Sequence, residues 1–428
     1  MRILIKGGRV LDPGRLDGTM DVYVEAGVIA AITADSSEAP PPFDEKDADR
    51  VIDAQGRLVT PGLIDMHVHL REPGEEYKES IETGVRAAAA GGFTGLCCMP
   101  NTRPVNDCQE ITGYIVHKAG QLRSVKVYPV GAVSLGSKGE ELSPFGELKD
   151  AGAIGVTDDG RPVSNSQLMR RALEYAGGLG LPVISHCEER TLSYGAMNEG
   201  PQAVRLGLSG IPNAAEYVMV LRDIAMAELT GNPVHIAHVS TRQSVREIRA
   251  AKARGVRVTA ETAPHYFTLT DAAVGDYDTH AKMHPPLRSA GDRDAIRRAL
   301  ADGTIDAIAT DHAPHSVLEK EVPFEEAANG IIGLETALSL GLRLVAEGVL
   351  TLSRLIETLS VQPARIMGLP AGLQTGGAAD LTVIDTERRF TYQSREGFSK
   401  SRNSPFEGWQ LTGRATHTIV DGRIVYEI

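Results

Sequence analysis

The sequence predicts an α/β protein: a (β/α)8 TIM-type barrel with a small β domain built from both ends of the chain. Two observations predict this fold. Through the middle of the chain, eight short apolar runs alternate with longer amphipathic segments, which is the rhythm of parallel strands joined by helices. Near the two ends, runs such as VYVEAGVIAAI and HTIVDGRIVY alternate with the period of β-strands.

The eight candidate barrel strands lie within residues 58–70, 93–100, 125–134, 153–159, 182–186, 234–239, 256–262 and 305–311. Helix-like stretches separate them, among them residues 167–179, 214–229 and 242–254. Asn213 followed by Glu216 resembles a capping box at the start of the second of these helices. The predicted barrel therefore occupies residues 58–369.

The small β domain is predicted to combine residues 1–57 with residues 370–428, where short runs such as ADLTVID are punctuated by Gly and Asp. Within it, residues 35–49 are rich in Pro, Asp and Glu and predict an exposed loop.

Composition excludes several classes of protein. The net charge of −12 over 428 residues leaves no basic footprint for nucleic acid. The first residues lack the apolar core of a signal peptide, and no run approaches the roughly 18 apolar residues of a membrane span. The cysteines form no CxxC pattern, and we expect them to be reduced, in a cytoplasmic protein; they are Cys97, Cys98, Cys108 and Cys187.

Polar residues gather where the apolar runs end. Because active sites of (β/α)8 barrels lie at the carboxyl ends of the strands, this clustering predicts a site there. An unpaired buried charge is costly, so a purely structural core would not collect such residues. The residues are His67, His69, Asn101, Asp158, Asp159, His186, His238, His265 and Asp311.

The His67-Val68-His69 pair indicates a metal site, because alternate strand residues share a face and both imidazoles can reach one ion. Nitrogen and carboxylate ligands together suit zinc. Four histidines and two carboxylates exceed one tetrahedral ion, so two ions about 3.5–4 Å apart are predicted, with one carboxylate between them. The further candidate ligands are His186, His238, Asp311 and either Asp158 or Asp159, which alternation alone does not separate.

The remaining histidines are interpreted as structural. His235 lies three residues before His238 and is expected to point the opposite way, toward the helices. His312 is expected to face away from its neighbour Asp311, whereas His315 of the D-H-A-P-H motif lies in the loop above the barrel mouth. His117, His280 and His417 have no metal-spaced partner.

The sequence strongly resembles the class I dihydroorotases of the amidohydrolase superfamily over nearly its whole length. The motifs PGLIDMHVHLREPG, GGFTGLCCMPNTRP, TDDGRPV, SHCEE, AHVST, ETAPHY, PPLR and ATDHAPHS follow in the family's order, before GLETAL and GGAADLTVID. H-V-H-L-R-E-P-G joins the histidine pair to an arginine, and M-P-N-T supplies an asparagine on the next strand. These two motifs are specific to dihydroorotases.

The resemblance implies that His67 and His69 bind one metal with Asp311, that His186 and His238 bind the other, and that Asp159 bridges them. Many relatives use a carboxylated lysine as the bridge, but AGAIGVTDDG contains no lysine. The chain is similar to the branch in which aspartate replaces it. The resemblance also implies that Arg71, Asn101 and His315 hold a substrate carboxylate, which suits the planar fork of an arginine.

The chain departs from the family pattern at two places. In the segment K-x-N-P-P-L-R, His284 stands where a substrate-contacting asparagine is expected, and we expect it to take over that role because both side chains offer a donor and an acceptor. The loop VPFEEAANGIIGLE, residues 322–335, is longer than in family members where PFG leads straight on.

The resemblance implies a reversible hydrolysis of dihydroorotate to N-carbamoyl-aspartate in pyrimidine biosynthesis, with a hydroxide held between two zinc ions and Asp311 as general acid and base. It implies a homodimer and an association with aspartate carbamoyltransferase. Two alternatives stay open: another cyclic amidase of the hydantoinase or allantoinase kind, and a non-catalytic subunit that supports the carbamoyltransferase. The second should have lost metal ligands, and all six are retained.

Overall fold

The computed structural model describes residues 1–34 and 40–428. The first part of the predicted loop at 35–49 therefore lies outside the described residues. Residues 40–49 are largely exposed, as predicted, but Phe43 is buried and its ring meets that of Tyr23 edge to face, with centroids 5.2 Å apart.

The strands are β1 Arg2–Asp12, β2 Leu16–Glu25, β3 Val28–Ala34, β4 Arg50–Asp53, β5 Leu58–Pro61, β6 Leu63–Val68, β7 Phe93–Cys98, β8 Lys126–Pro129, β9 Val183–Ser185, β10 Met197–Asn198, β11 Gly210–Ile211, β12 Val234–Ile236, β13 Val258–Thr262, β14 Ala307–Ile308, β15 Leu381–Thr391, β16 Gln410–Val420 and β17 Arg423–Glu427. The α-helices are α1 Ile81–Gly91, α2 Gln109–Leu122, α3 Phe145–Asp150, α4 Ser166–Leu179, α5 Pro201–Leu206, α6 Ala214–Thr230, α7 Arg242–Ala253, α8 Pro264–Thr268, α9 Ala290–Asp302, α10 Val317–Lys320, α11 Ala337–Ala346, α12 Leu352–Ile356 and α13 Gln362–Ile366.

One large sheet combines strands from both ends of the chain. Its order is β17-β16-β15-β5-β1-β2-β3, and β4 pairs with β1 in parallel. Alternate residues of its strands, such as Ile3, Ile5, Val22 and Val24, are buried in a core of their own. This is the sheet that the alternating runs near the two ends predict.

The predicted strand at 58–70 divides into two strands, which corrects the sequence interpretation. β5 joins the large sheet, antiparallel to β15, and only β6 belongs to the parallel strands. The chain changes sheets at Gly62, where a Cβ would lie 2.0 Å from Oγ1 of Thr94. Only glycine permits this approach of backbone to side chain.

The parallel strands form two ladders, β6-β7-β8 and β14-β13-β12-β9. The predicted strand at 153–159 is no regular strand, but Val156 makes parallel bridges to Gly131 and Val183. The two remaining edges of the ladders also meet, because Val68 of β6 makes a parallel bridge to His312, which follows β14. The carboxyl ends of these segments therefore lie on one side of the molecule.

The helices between the parallel strands begin and end close to the predicted limits. α4 is capped by Asn165, α7 by Thr241 and α9 by Ser289, whose side chains accept hydrogen bonds from the first turn. The capping box predicted at Asn213 is wrong. The side chain of Asn213 makes no capping bond and donates to Gln243 and Asp292, and the carboxylate of Glu216 accepts from Ser240 and Thr241.

Apolar side chains of the helices and parallel strands form the largest buried cluster of the protein. Cys97, Cys98 and Cys187 are buried, Cys108 is half-buried, and all four are free thiols. In the part of the chain that the structure describes, no helix is long and apolar enough to cross a bilayer.

Candidate metal centre

Four histidines surround Asp159 where the parallel segments end. Asp159 follows the Val156 segment, and the histidines follow or end β6, β9 and β12. The distances are 3.3 Å from Oδ1 of Asp159 to Nε2 of His67, 3.5 Å to Nδ1 of His186, 3.5 Å to Nε2 of His238, and 3.5 Å from Oδ2 to Nε2 of His69.

Asp311 closes the cluster on the side of the histidine pair. Its Oδ1 lies 3.0 Å from Nε2 of His69 and 3.7 Å from Nε2 of His67. The ligand atoms of His67, Asp159 and His238 lie within 4.8 Å of one another, and so do those of His67, His69 and Asp311. The fold therefore brings together the six side chains that the sequence analysis gives as candidate metal ligands.

These residues fit a pair of small cations. Nε2 of His67 and Oδ1 of Asp159 are buried and have no hydrogen-bond partner among the described residues. Buried polar atoms are almost always satisfied, and a cation bound by both of these atoms would satisfy them. Zinc bonds of about 2.0–2.1 Å place two tetrahedral ligand atoms about 3.3 Å apart, close to the separations in this cluster.

The charges of the cluster also suit cations. Burial by itself would raise the pKa of Asp159, but the surrounding imidazoles, His67 foremost, hold it well below its ordinary value. Burial likewise acts against Asp311, whose pKa is nevertheless lowered by His67 and His69. Both carboxylates are therefore ionised at neutral pH and offer negative charge to a metal.

The neighbouring aspartates have different surroundings. Asp158 turns away from the histidines and accepts hydrogen bonds from the backbone N–H and the hydroxyl of Ser134. Asp159 alone of the two faces the cluster. The structure thus distinguishes Asp159 from Asp158, which the alternation of strand residues does not.

Three residues of this region have left-handed backbone: Arg71 with φ 60°, His238 with φ 33° and Asp311 with φ 48°. L-residues with side chains rarely adopt this conformation, and it costs of order 1–3 kcal/mol each. Strain of this kind persists where the surroundings fix it, and here it coincides with two candidate metal ligands and the neighbouring arginine.

The outer ring nitrogens of the histidine pair have partners that fix the rings. Nδ1 of His69 lies 2.8 Å from Oδ1 of Asn101, so this predicted substrate residue also holds a candidate metal ligand. Nδ1 of His67 lies 2.8 Å from Oε1 of Glu261. Sequence reasoning missed Glu261, although it precedes the strand end in the ETAPHY motif that carried part of the resemblance.

Arg71 and His315 lie together beside the cluster. Nη2 of Arg71 donates to Nε2 of His315 over 3.3 Å, and Nε of Arg71 donates to the carbonyl of Pro314 over 3.2 Å. Burial and the guanidinium of Arg71 lower the pKa of His315 to about 3. His315 is therefore a neutral acceptor at physiological pH, and Arg71 keeps its charge.

His284 lies next to the cluster and not in it. Its Nε2 contacts the carboxylate of Glu188, and its ring stacks on that of His186 at 5.8 Å with an interplanar angle of 23°. The side chain of His284 is 24% exposed, so part of the ring remains open. The ligand atoms of His186, Glu188 and His284 also lie within 4.8 Å of one another.

The expected orientation of His235 is wrong. Nε2 of His235 lies 3.3 Å from Oε2 of Glu261, whose other oxygen meets His67, so the ring points into the space between the strands and not toward the helices. His312 does face away from the cluster: its ring contacts Glu79 and the N–H of Gly333. His265 is buried, and burial lowers its pKa to about 4.

Known proteins resemble this chain over its whole length. The family model "Dihydro-orotase-like" matches residues 56–244. A protein named dihydroorotase from Geotalea daltonii is 59% identical over 430 residues, covering 100% of both chains. Another, from Syntrophotalea carbinolica, is 58% identical over 431 residues with the same coverage.

Among solved structures, the L-hydantoinase (dihydropyrimidinase) from Arthrobacter aurescens superposes with a TM-score of 0.88 at 27% identity, covering 99% of this chain and 96% of that one. The fold is thus shared with hydantoinases, whereas the sequence is far closer to the proteins named dihydroorotase. By its sequence, this chain belongs to the dihydroorotase family.

Proposed function

We propose that this protein is a dihydroorotase, which catalyses the reversible hydrolysis of dihydroorotate to N-carbamoyl-aspartate with two zinc ions. The relatives of 55–59% identity that bear this name support the proposal. In the proposed centre, His67, His69 and Asp311 would hold one ion, His186 and His238 would hold the other, and Asp159 would be shared between them.

One observation favours dihydroorotate over other cyclic amides. Arg71 is buried beside the cluster, and its guanidinium meets a carbonyl oxygen and a neutral imidazole in place of a carboxylate. A buried guanidinium without a carboxylate partner is suited to bind one from the substrate, in a bidentate manner. Dihydroorotate carries such a carboxylate, and hydantoin does not.

Hydrolysis of a cyclic amide needs a strong nucleophile and a protonated leaving nitrogen. Bound zinc would supply Lewis acidity toward the carbonyl oxygen and water with a pKa of about 7. Asp311 accepts the proton of the attacking water and delivers it to the departing ring nitrogen, and it acts in the opposite sense during ring closure. Because Oδ1 of Asp311 faces His69, Oδ2 is the atom assigned to carry this proton.

The proposed substrate residues contact dihydroorotate from two sides. Arg71 and the amide nitrogen of Asn101, whose oxygen is occupied by His69, donate to the carboxylate, and His315, whose Nε2 accepts from Arg71, contributes the single ring N–H of its neutral form. His284 contacts the substrate through Nδ1, because Nε2 is turned toward Glu188. His284 thus replaces the asparagine of the family pattern.

The proposal extends to the architecture. The eight parallel segments form one closed (β/α)8 barrel, which the bridges at Val156 and between Val68 and His312 support. Residues 58–369 form the barrel domain, except that β5 pairs with the small β domain of residues 1–57 and 370–428. The protein acts in the cytoplasm as a homodimer that associates with aspartate carbamoyltransferase.

Two other functions are less well supported. A hydantoinase would share the fold, but its substrate leaves the charge of Arg71 uncompensated. A non-catalytic subunit would have no use for six buried candidate ligands that lie within reach of two cations.

The test is an assay of the purified protein, loaded with zinc, on dihydroorotate, hydantoin and dihydrouracil, with zinc counted by elemental analysis. We expect two zinc ions per chain and turnover of dihydroorotate well above that of the other two. Preference for hydantoin or dihydrouracil would reject the proposed substrate, and full activity after complete removal of metal would reject the proposed chemistry.

A further inference from the structure

A chain of buried polar groups leads from the candidate metal centre into the interior between the parallel strands. Nδ1 of His67 lies 2.8 Å from Oε1 of Glu261, and Nε2 of His235 lies 3.3 Å from Oε2 of the same carboxylate. Nδ1 of His235 lies 2.8 Å from Oγ1 of Thr259. His67, His235 and Glu261 are at most 2% exposed.

We propose that Glu261 is a positioning residue of the metal centre: it orients His67 so that Nε2 faces Asp159 and Asp311, and His235 in turn orients Glu261. The inference rests on the metal centre of the proposed function. It assigns a role to two buried titratable residues that the proposed reaction does not otherwise use.

The hydrogen bonds determine the tautomer of His67. An ionised carboxylate only accepts hydrogen bonds, so the ring proton of His67 lies on Nδ1 and the lone pair lies on Nε2. Nε2 is the atom that faces Asp159 at 3.3 Å. Metal ligands of this kind need a neutral imidazole with a free lone pair, and a carboxylate on the other ring nitrogen fixes both the tautomer and the ring plane.

The second carboxylate oxygen of Glu261, Oε2, faces His235. Nε2 of His235 lies 3.3 Å from Oε2 of Glu261, which is ion-pair reach without the geometry of a hydrogen bond, and Nδ1 of His235 lies 2.8 Å from Oγ1 of Thr259. β12 and β13 pair in parallel, with His235 opposite Thr259, which places Glu261 one side-chain layer nearer the cluster. Oε1 of Glu261 is therefore held by His67, and Oε2 faces His235 of β12.

The partners of Glu261 are unusual for so deeply buried a carboxylate. Among the described residues, its ion-pair partners are two histidines and no lysine or arginine. A buried carboxylate is costly unless a cation compensates it. A cation bound at Nε2 of His67 would supply positive charge on the far side of the ring and would favour an ionised carboxylate at Glu261.

The test uses Glu261→Gln, which keeps the size of the side chain and removes its charge. Gln can still accept from His67 through Oε1, and it can donate to Nε2 of His235 once the proton of that ring moves to Nδ1, where the hydroxyl oxygen of Thr259 accepts it, so the fold is expected to survive. Loss of such a partner lowers metal affinity about 10–100-fold. We expect a loss of this size in a zinc titration against a competing chelator, with a changed visible spectrum of the cobalt-substituted protein.

Glu216→Gln is the matched control. Glu216 is similarly buried, at 4% exposure, and accepts hydrogen bonds from Ser240, Thr241 and Ser244, none of which is a candidate ligand. We expect this variant to lose stability and to keep the zinc affinity and cobalt spectrum of the wild type. His235→Gln should weaken zinc binding in the same direction as Glu261→Gln, by a smaller factor.

Equal zinc affinity and equal cobalt spectra in wild type and Glu261→Gln would overturn the inference. Equal losses in Glu261→Gln and Glu216→Gln would also overturn it, because they would indicate a general effect on the fold. A wild type that binds two metals but does not turn over dihydroorotate would reject the proposed substrate and leave this readout intact. A wild type that binds no metal would reject both.

Discussion

The carboxylate of Glu188 contacts Nε2 of His284, at the point where the sequence leaves the pattern of its family. The contact gives the histidine a defined tautomer: the proton lies on Nε2, and Nδ1 is left as an acceptor. The ring of His284 also stacks on the candidate ligand His186. His284 is therefore held in place by two residues of the candidate site.

We predict that His284→Ala lowers kcat/KM for dihydroorotate about tenfold, equivalent to about 1.4 kcal/mol of transition-state stabilisation. His284→Asn should retain much of the activity, because the amide also offers a donor and an acceptor. Steady-state kinetics of the three proteins measures the effect.

His280→Ala is the control for this prediction, because His280 lies on a separate short helical turn, Thr279–Ala281, of the same connection. Its kcat/KM should equal that of the wild type. Equal values for the wild type, His284→Asn and His284→Ala would remove His284 from the substrate site.

Asp159→Ala should abolish binding of at least one metal ion, since Asp159 lies within 3.5 Å of a nitrogen of each of four histidines. Asp158→Asn should keep the metal and lose stability, because its contacts are with Ser134. Elemental analysis after dialysis, with thermal unfolding alongside, distinguishes the two. Loss of metal in Asp158→Asn with full zinc in Asp159→Ala would reverse the assignment.

Arg71→Lys should raise KM for dihydroorotate tenfold or more with little change in the melting temperature. An ammonium keeps the charge, but it cannot hold Pro314 and His315 while gripping a carboxylate with two parallel hydrogen bonds. The comparison of KM with kcat is the measurement. An unchanged KM would exclude Arg71 from carboxylate binding.

His315 should make unfolding depend on pH in a predictable direction. Its pKa in the folded protein is lowered to about 3 from the ordinary 6.5, so between these values the unfolded chain binds more protons. The stabilisation is complete above about pH 6.5 and is lost as pH falls, by up to about 1.4 kcal/mol per pH unit. Urea unfolding at pH 7, 6 and 5 should show a steeper loss for the wild type than for His315→Gln. Parallel losses would contradict a neutral buried imidazole.

The candidate ligands could be predicted from the sequence because each one follows an apolar run, and parallel strands bring such ends to one side. The residues that contact the outer ring nitrogens of these histidines could not be predicted. Glu261 lies 194 residues from His67, and no local pattern connects the two. The contact between His69 and Asn101 was missed for the same reason: the resemblance assigned Asn101 to the substrate, and the hydrogen bond becomes visible only when β6 and β7 lie side by side.

Other errors have local causes. His235 was placed on the helix side because alternation was extended through His238, but the left-handed backbone of His238 ends the regular alternation. The run at 58–70 reads as one strand because apolar residues flank its Pro61-Gly62 pair on both sides, whereas the fold divides it at Gly62, where the backbone meets Thr94. The first difference comes from the backbone of His238, close by in the sequence, and the second from Thr94 on another strand.

The sheet shared by the two ends of the chain has a consequence for the newly made protein. β5 is complete early, but its partner β15 follows much later: the contact between Thr60 and Thr382 spans 322 residues. At 5 to 20 residues per second, synthesis of that interval takes roughly 15 to 65 s. Throughout that time the nascent chain carries an open strand edge, which is a template for mispairing with other chains. The length of this period depends on the rate of translation, so slower translation should increase the need of the nascent chain for chaperones.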